Sequence, residues 1–297
     1  MFRWRLIGCV LFAGSAILGG SVFAQPGAGA QPVPRRIITI APNAAEIICD
    51  LGACDRIVAV SKFCVYPPQL RERPRAGGLF DPDLEKIVAL RPDLIVLRGH
   101  NESIERLCEK RGIRVYKDDT QTLAEIEQTT MELGRMLGLE SRAIEIVKQM
   151  RKTVRSIRKR VADRDKPRVF MTYARRPDRL ANLLTAGPGT FLAEMIEIAG
   201  GTNVFADLDM RYPQVSLEAI MAKRPDVVIE LVPEVELTPA LRRSMRAQWY
   251  ALGPIPAVKN DRVYFLTDDN ALIPSPRVVE IIDKVSRLLH PEKTGGP

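Results

Sequence analysis

The chain carries one pattern twice. Residues 83–95 read Asp83-Leu84-Glu85-Lys86-Ile87-Val88-Ala89-Leu90-Arg91-Pro92-Asp93-Leu94-Ile95. Residues 216–228 read Ser216-Leu217-Glu218-Ala219-Ile220-Met221-Ala222-Lys223-Arg224-Pro225-Asp226-Val227-Val228. Leu, Glu, Ile, Ala, Arg, Pro and Asp coincide at a constant offset. Each copy opens on a good helix N-cap residue, Asp83 or Ser216. Each then places a glutamate in the first turn and breaks at Arg-Pro-Asp before an apolar run. Two halves built this way predict two similar lobes with a cleft between them.

Strand and helix signals alternate through both halves, which predicts an α/β fold with mostly parallel sheets. Arg36 to Ala41 reads as a strand by its β-branched content. Asn43 with Glu46 three residues on reads as a capping box that opens the next helix. Further strands are expected at 57–60, 94–97 and 114–116, and further helices at 83–90 and 102–110. The middle differs: 122–137 and 141–161 are helical by apolar spacing, with no strand signal between them. The second of these would span roughly 30 Å, enough to link two lobes rigidly. Strands at 168–172, 227–231 and 262–266 then alternate with helices at 190–199, 216–222, 239–250 and 276–289. Glu46 to Gly52 also parallels Glu194 to Gly200.

The first residues read as a secretory signal over 1–24: Arg3 and Arg5, an apolar Leu6 to Val22, and the small-x-small end Val22-Phe23-Ala24. An uncleaved anchor is the alternative, weakened by Gly8, Gly14, Gly19 and Gly20. Residues 25–35 form a flexible tether rich in Pro, Gly and Ala. The lobes are then expected at 36–138 and 164–291, joined by a helix at 139–163. Loss of Arg3 and Arg5 lowers the net charge from +8 to +6. The basic stretch from Lys148 to Arg168 reads as a solvated helix face, and an exported protein has no nucleic-acid partner. Cys49, Cys54, Cys64 and Cys108 follow the signal. In an oxidising compartment they form disulfides or stay as partly free buried thiols, and two disulfides would allow three connectivities. A four-thiolate metal site is the alternative, without the close CxxC pairs that zinc favours.

The chain resembles the iron-complex and vitamin B12 class of periplasmic substrate-binding proteins that feed ABC importers. The resemblance rests on Arg36-Ile37-Ile38-Thr39-Ile40-Ala41-Pro42-Asn43-Ala44-Ala45-Glu46, Asp55 to Ser61, Tyr66-Pro67-Pro68, Gly187 to Leu192 and Ala199 to Phe205. Tyr212 to Glu218, Ala257 to Asn260 and Ser275-Pro276-Arg277 complete the set. It implies one periplasmic-binding domain over 36–291: two similar α/β lobes joined by one long connecting helix, with the ligand in the cleft between them. The expected protein is a monomeric periplasmic carrier, not an enzyme. It would deliver a small-molecule metal chelate to an ABC permease in the inner membrane. The resemblance further implies that Glu85 and Glu218, one on each lobe, dock onto permease arginines. Complementing the helix dipole is the alternative role for each.

Loops beyond the carboxyl ends of strands hold ligands in α/β proteins. That rule, with aromatic or charged character, nominates Pro42, Asn43, Tyr66, Phe80, Arg98, Tyr173, Arg211, Tyr212 and Asp269. Tyr66 matches a pocket tyrosine of vitamin B12 carriers, and Tyr212 falls where they place a tryptophan. Another of their pocket tryptophans aligns with Leu97. Phe80 and Asp81 stand where haem carriers have an iron-ligating tyrosine, which argues against haem. His100 is the candidate metal ligand. Arg175, Arg176, Arg179 and Arg211 would suit an anionic ferric chelate or corrinoid amides and phosphate. The expected cargo is therefore a cobalt corrinoid, with a ferric siderophore or haem as the alternative and no covalently held cofactor. An exported enzyme and a metallocluster or sensor protein are the readings from other classes. No nucleophile elbow, metalloprotease motif or phosphate loop supports an enzyme.

Overall fold

The computed structural model describes residues 32–78, 80–175, 178–233 and 235–292. The expected signal at 1–24 lies outside the described residues, as do Arg176 and most of the expected tether.

Lobe one contains β1 (Ile37–Thr39), α1 (Pro42–Asp50), β2 (Ile57–Val60), α2 (Leu84–Ala89), β3 (Leu94–Arg98), α3 (Glu102–Arg111) and β4 (Arg114–Asp118). Its strands are all parallel, in the order β2-β1-β3-β4. Ile37, Ile38, Leu94, Ile95, Val96 and Leu97 are buried, as strands covered on both faces must be. Two helices follow, α4 (Leu123–Met136) and α5 (Glu140–Val161). Lobe two contains β5 (Arg168–Ala174), β6 (Leu183–Thr185), α6 (Phe191–Ile198), β7 (Thr202–Asn203), β8 (Gln214–Val215), α7 (Leu217–Lys223), β9 (Val227–Leu231), α8 (Pro239–Tyr250), α9 (Pro256–Lys259), β10 (Val263–Leu266) and α10 (Val278–Leu289). Strands β10, β9 and β5 run parallel, and β6 and β8 extend that sheet antiparallel. The expected α/β fold with two similar lobes is what the chain adopts.

The repeat has a physical explanation. Asp83 and Ser216 each cap their helix, accepting from the backbone N–H of Lys86 at 2.9 Å and of Ala219 at 3.2 Å. Arg91 and Arg224 share a left-handed φ of 47°, which turns the chain out of α2 and α7. The aspartates then tie strand to strand. Asp93 accepts from the N–H groups of Arg35 at 2.8 Å and Arg36 at 3.0 Å, and Asp226 from that of Arg168 at 2.8 Å. The start of β1 is thereby fixed beside β3, and the start of β5 beside β9.

Helix α5 has 22 residues, as a connecting helix requires. Helix α4 shares its work. Gly134 lies so close to Ala143 that an added Cβ would come within 2.4 Å of it, which lets α4 pack tightly on α5. Leu133 and Leu137 join the core of lobe one, whereas Leu123 and Ile126 join that of lobe two. On α5, Ala143 serves lobe one, and Met150 and Ile157 serve lobe two.

Two local expectations are corrected. Helix α1 begins one residue earlier than Asn43: Pro42 holds the first turn, where its missing N–H costs nothing. Asn43 is then a buried helical residue rather than a cap, and the N-cap Ala41 makes no side-chain bond. Helix α10 starts at Val278, not Pro276: Arg277 is its N-cap residue, and no side chain caps the first turn. Of the four cysteines, Cys49 and Cys54 form a disulfide while Cys64 and Cys108 are free and buried. The four-thiolate reading thereby loses two donors. No helix among the described residues is long and apolar enough to cross a membrane.

Candidate functional site

Strands β1 and β2 in lobe one, and β5, β9 and β10 in lobe two, end at a common cleft. It holds three adjoining chambers, and Leu272 lines all of them. The first, about 330 Å³, lies between the lobes. Pro42, Glu46, Cys64, Val65 and Tyr66 face Pro233, Asp269, Leu272 and Ile273 across it. The second, about 370 Å³, is walled by Tyr173, Arg175, Glu230 and Val232. The third, about 310 Å³, is walled by Arg98, Gln121, Tyr173, Phe191 and Tyr212. Apolar and aromatic walls with sparse, fixed polar groups are what a small-molecule site needs.

The polar groups are held from behind. Arg98, at the end of β3, donates through Nη1 to Asp118 Oδ2 at 3.0 Å and to the Thr120 carbonyl at 3.0 Å. Thr120 Oγ1 donates to the other Asp118 oxygen at 2.6 Å. Tyr173 and Tyr212 meet edge to face with ring centres 5.7 Å apart, and the Tyr212 hydroxyl donates to Gln121 Oε1 at 2.7 Å. Burial, then the neighbouring Tyr212, pushes the Tyr173 hydroxyl up to about 12, so it remains a donor at physiological pH.

A further cluster closes the first chamber. Glu46 on α1 accepts from Ser275 Oγ at 2.6 Å and from Arg277 Nη1 at 3.1 Å. Arg277 Nη2 donates to Asp269 Oδ1 at 2.9 Å, and the guanidinium carbon lies 3.3 Å from the Tyr66 ring centre. Burial raises the Glu46 carboxyl from 4.5 to about 7, against the lowering effects of Ser275 and Arg277. Burial works against charge on Arg277, but Glu46 and Asp269 hold its guanidinium above the ordinary value.

The structure thus brings together Pro42, Tyr66, Arg98, Tyr173, Tyr212 and Asp269. Other nominated residues stand apart from the three chambers. Phe80 is 92 % exposed. Asn43 is buried in α1, and its Nδ2 has no hydrogen-bond partner. Arg211 is exposed, with its carbonyl accepting from the Gly187 N–H at 2.7 Å. That close approach suits glycine, because a Cβ on Gly187 would overlap the Met210 carbonyl. His100 is also outside, its side chain 70 % exposed and its Nδ1 2.6 Å from Glu105. Among the described residues no cluster of His, Cys, Asp or Glu could hold a metal ion. Burial raises the pKa of Cys64 and keeps its thiol protonated, the wrong state for a metal ligand.

Arg175 is not the free cation expected beside an anionic ligand. Its side chain is 2 % exposed and donates to Glu230 at 2.7 Å and Gln248 at 2.7 Å. Glu230 also accepts from Trp249, a fully buried indole that lies outside the cleft. Sequence reasoning missed Glu46, Arg277 and Gln121 as site residues. The first two lie inside quoted motifs, which was their signal. Gln121 had none.

Two α/β lobes with a ligand-sized cleft at the strand ends, held by a long helix, define the class of solute-binding proteins. The chain belongs to the periplasmic binding protein family, whose sequence profile matches residues 37–270. It is 31 % identical over 288 residues to the vitamin B12-binding protein of Vibrio cholerae, covering 96 % of each chain. It is 31 % identical over 264 residues to the cobalamin-binding protein of Halobacterium salinarum, covering 86 % of this chain and 70 % of that one. The crystal structure of the periplasmic vitamin B12-binding protein of Vibrio cholerae superimposes with a TM-score of 0.72 at 30 % identity. That match covers 86 % of this chain and 97 % of the other.

Proposed function

We propose that this protein is the periplasmic binding component of an ABC importer, taking up a cobalt corrinoid in the inter-lobe cleft and delivering it to an inner-membrane permease. The observation that carries this reading is the 31 % identity to a vitamin B12-binding protein over 96 % of both chains. The cleft supports it. Tyr66, Tyr173 and Tyr212 offer flat apolar area to a macrocycle, while Arg98 and Asp269 offer a donor and an acceptor to its amides. A signal over 1–24 with a tether over 25–35 fits export ahead of a binding domain at 36–291.

Isothermal titration of the mature protein with cyanocobalamin, beside haem and ferric siderophores, tests the reading. One-to-one corrinoid binding with a Kd of about 1 μM or tighter is expected. Siderophore or haem binding with no corrinoid signal would overturn the cargo, and silence across the panel would overturn the carrier role.

Glu85 and Glu218 are the proposed permease contacts. Both are exposed in the first turns of α2 and α7. Its own backbone N–H, then Ser216, hold the Glu218 carboxyl below its ordinary value, so it is charged at neutral pH. Reversing both charges with Glu85→Lys and Glu218→Lys should leave corrinoid affinity within about twofold. Uptake by reconstituted transporter should fall by about tenfold or more, because like charges facing each other oppose docking. Unchanged uptake would remove both residues from the interface.

A further inference from the structure

Tyr66 touches both the cleft and a charged side chain. It lines the first chamber, and it also carries the Arg277 guanidinium 3.3 Å from its centre. Tyr66 belongs to lobe one and Arg277 to the segment ahead of α10 in lobe two. The guanidinium is gripped at both ends, by Glu46 at 3.1 Å and by Asp269 at 2.9 Å. A planar fork held by two carboxylates has its tilt fixed, and a ring stacked on it inherits that tilt. The Glu46 and Arg277 side chains are 5 % and 14 % exposed, so water competes little for these contacts.

Accepting the cleft as the ligand site, we propose that Arg277 is a positioning residue, which sets the plane of Tyr66 and the spacing of the lobes together, with Glu46 as its switchable anchor. The groups that face Glu46 are Asp50 on its own helix, Ser275, Arg277 and Asp269 ahead of α10, and Cys64 in the loop after β2. Among these Arg277 is the cation. The Glu46 carboxyl titrates at about 7, so it passes from neutral to charged across the range where a carrier works. Ionisation strengthens its bond to Arg277 and stiffens the Tyr66 platform. Ligand binding is therefore coupled to loss of this proton, and the coupling is reciprocal.

The test titrates the mature protein with cyanocobalamin at pH 6 and pH 8, in wild type, Glu46→Gln, Arg277→Lys and Arg277→Met. Wild-type affinity should rise by about fivefold with pH, and Glu46→Gln should be flat. Arg277→Lys keeps the charge and loses the planar fork, so it should bind about tenfold more weakly at pH 8. Wild-type affinity in Arg277→Lys, or a retained pH dependence in Glu46→Gln, overturns the proposal. A ligand-free readout separates this from the cargo assignment: amide hydrogen exchange over residues 63–66. Faster exchange in both Arg277 variants, with no corrinoid binding by wild type, would sink the cargo and leave the positioning role standing. Unchanged exchange would overturn the positioning role.

Discussion

Glu230→Ala is expected to destabilise the protein by about 3–5 kcal/mol, as breaking one side of a buried ion pair does. Glu230 lies on β9, and its side chain is 1 % exposed. It accepts from Arg175 Nε at 2.7 Å and from the Trp249 indole. Alanine would leave a guanidinium in the interior without its carboxylate and an indole N–H without its acceptor. In a chain of this size the loss corresponds to a fall in Tm on the order of 10 °C. Replacing both charges at once, Arg175→Met with Glu230→Leu, should recover the part due to the lone guanidinium, because the desolvation of both ions disappears too, while the indole N–H stays without its acceptor. Thermal unfolding of the three proteins checks this. An alanine variant within about 1 kcal/mol of wild type would mean that the pair is solvated. Arg175, Glu230 and Tyr173 wall the same chamber, so the loss should also loosen the cleft.

The second large effect is a pH dependence. The folded state holds the Glu46 proton up to about 7, whereas an unfolded glutamate releases it near 4.5. Between those values the folded state binds more protons than the unfolded one, so stability falls as pH rises. The contribution is fully present below 4.5 and is lost as pH rises through about 7. Its size is about 3 kcal/mol. Glu46→Gln should abolish it, so denaturant unfolding at pH 4.5 and pH 8 should show the difference between variant and wild type changing by that amount. Glu194 is raised by burial as well and cancels in the comparison with the variant, whereas Asp50, which faces Glu46, changes with it. Parallel pH profiles in the two proteins would show that Glu46 binds its proton equally well folded and unfolded.

The repeat was readable because each of its residues acts locally. Asp83 and Ser216 cap within their own turn, and Arg91 and Arg224 reverse the chain in place. Helices α4 and α5 were readable from spacing, since each buries one face. Strands β6 and β8 were not foreseen: three and two residues are too few to show a periodicity. The central cluster was obscured by distance along the chain. Glu46 and Arg277 are 231 positions apart, and Glu46 taken alone resembled a capping residue. Arg175 was misjudged because an arginine after a strand looks solvated until the acid on β9 is seen to face it. Tyr66, Tyr173 and Tyr212 could be placed at the cleft because each lies at or beyond the end of a strand, the one placement rule that needs no partner.

The pairing of α4 with α5 has a consequence for assembly of the molecule. Leu123 and Ile126, early in the chain, complete the interior of lobe two, while Ala143, at the start of the long helix, completes lobe one. The dependence runs one way: every buried residue of the lobe-one clusters lies at or before Ala143, whereas lobe two draws on Leu123 and Ile126 from ahead of the long helix. A chain emerging from its N-terminus holds the whole interior of lobe one once the start of α5 is out, but the second half produced by itself would lack part of its own. The two lobes therefore resemble modules in topology, yet only the first is self-sufficient, and the second must close against α4 of a half already made.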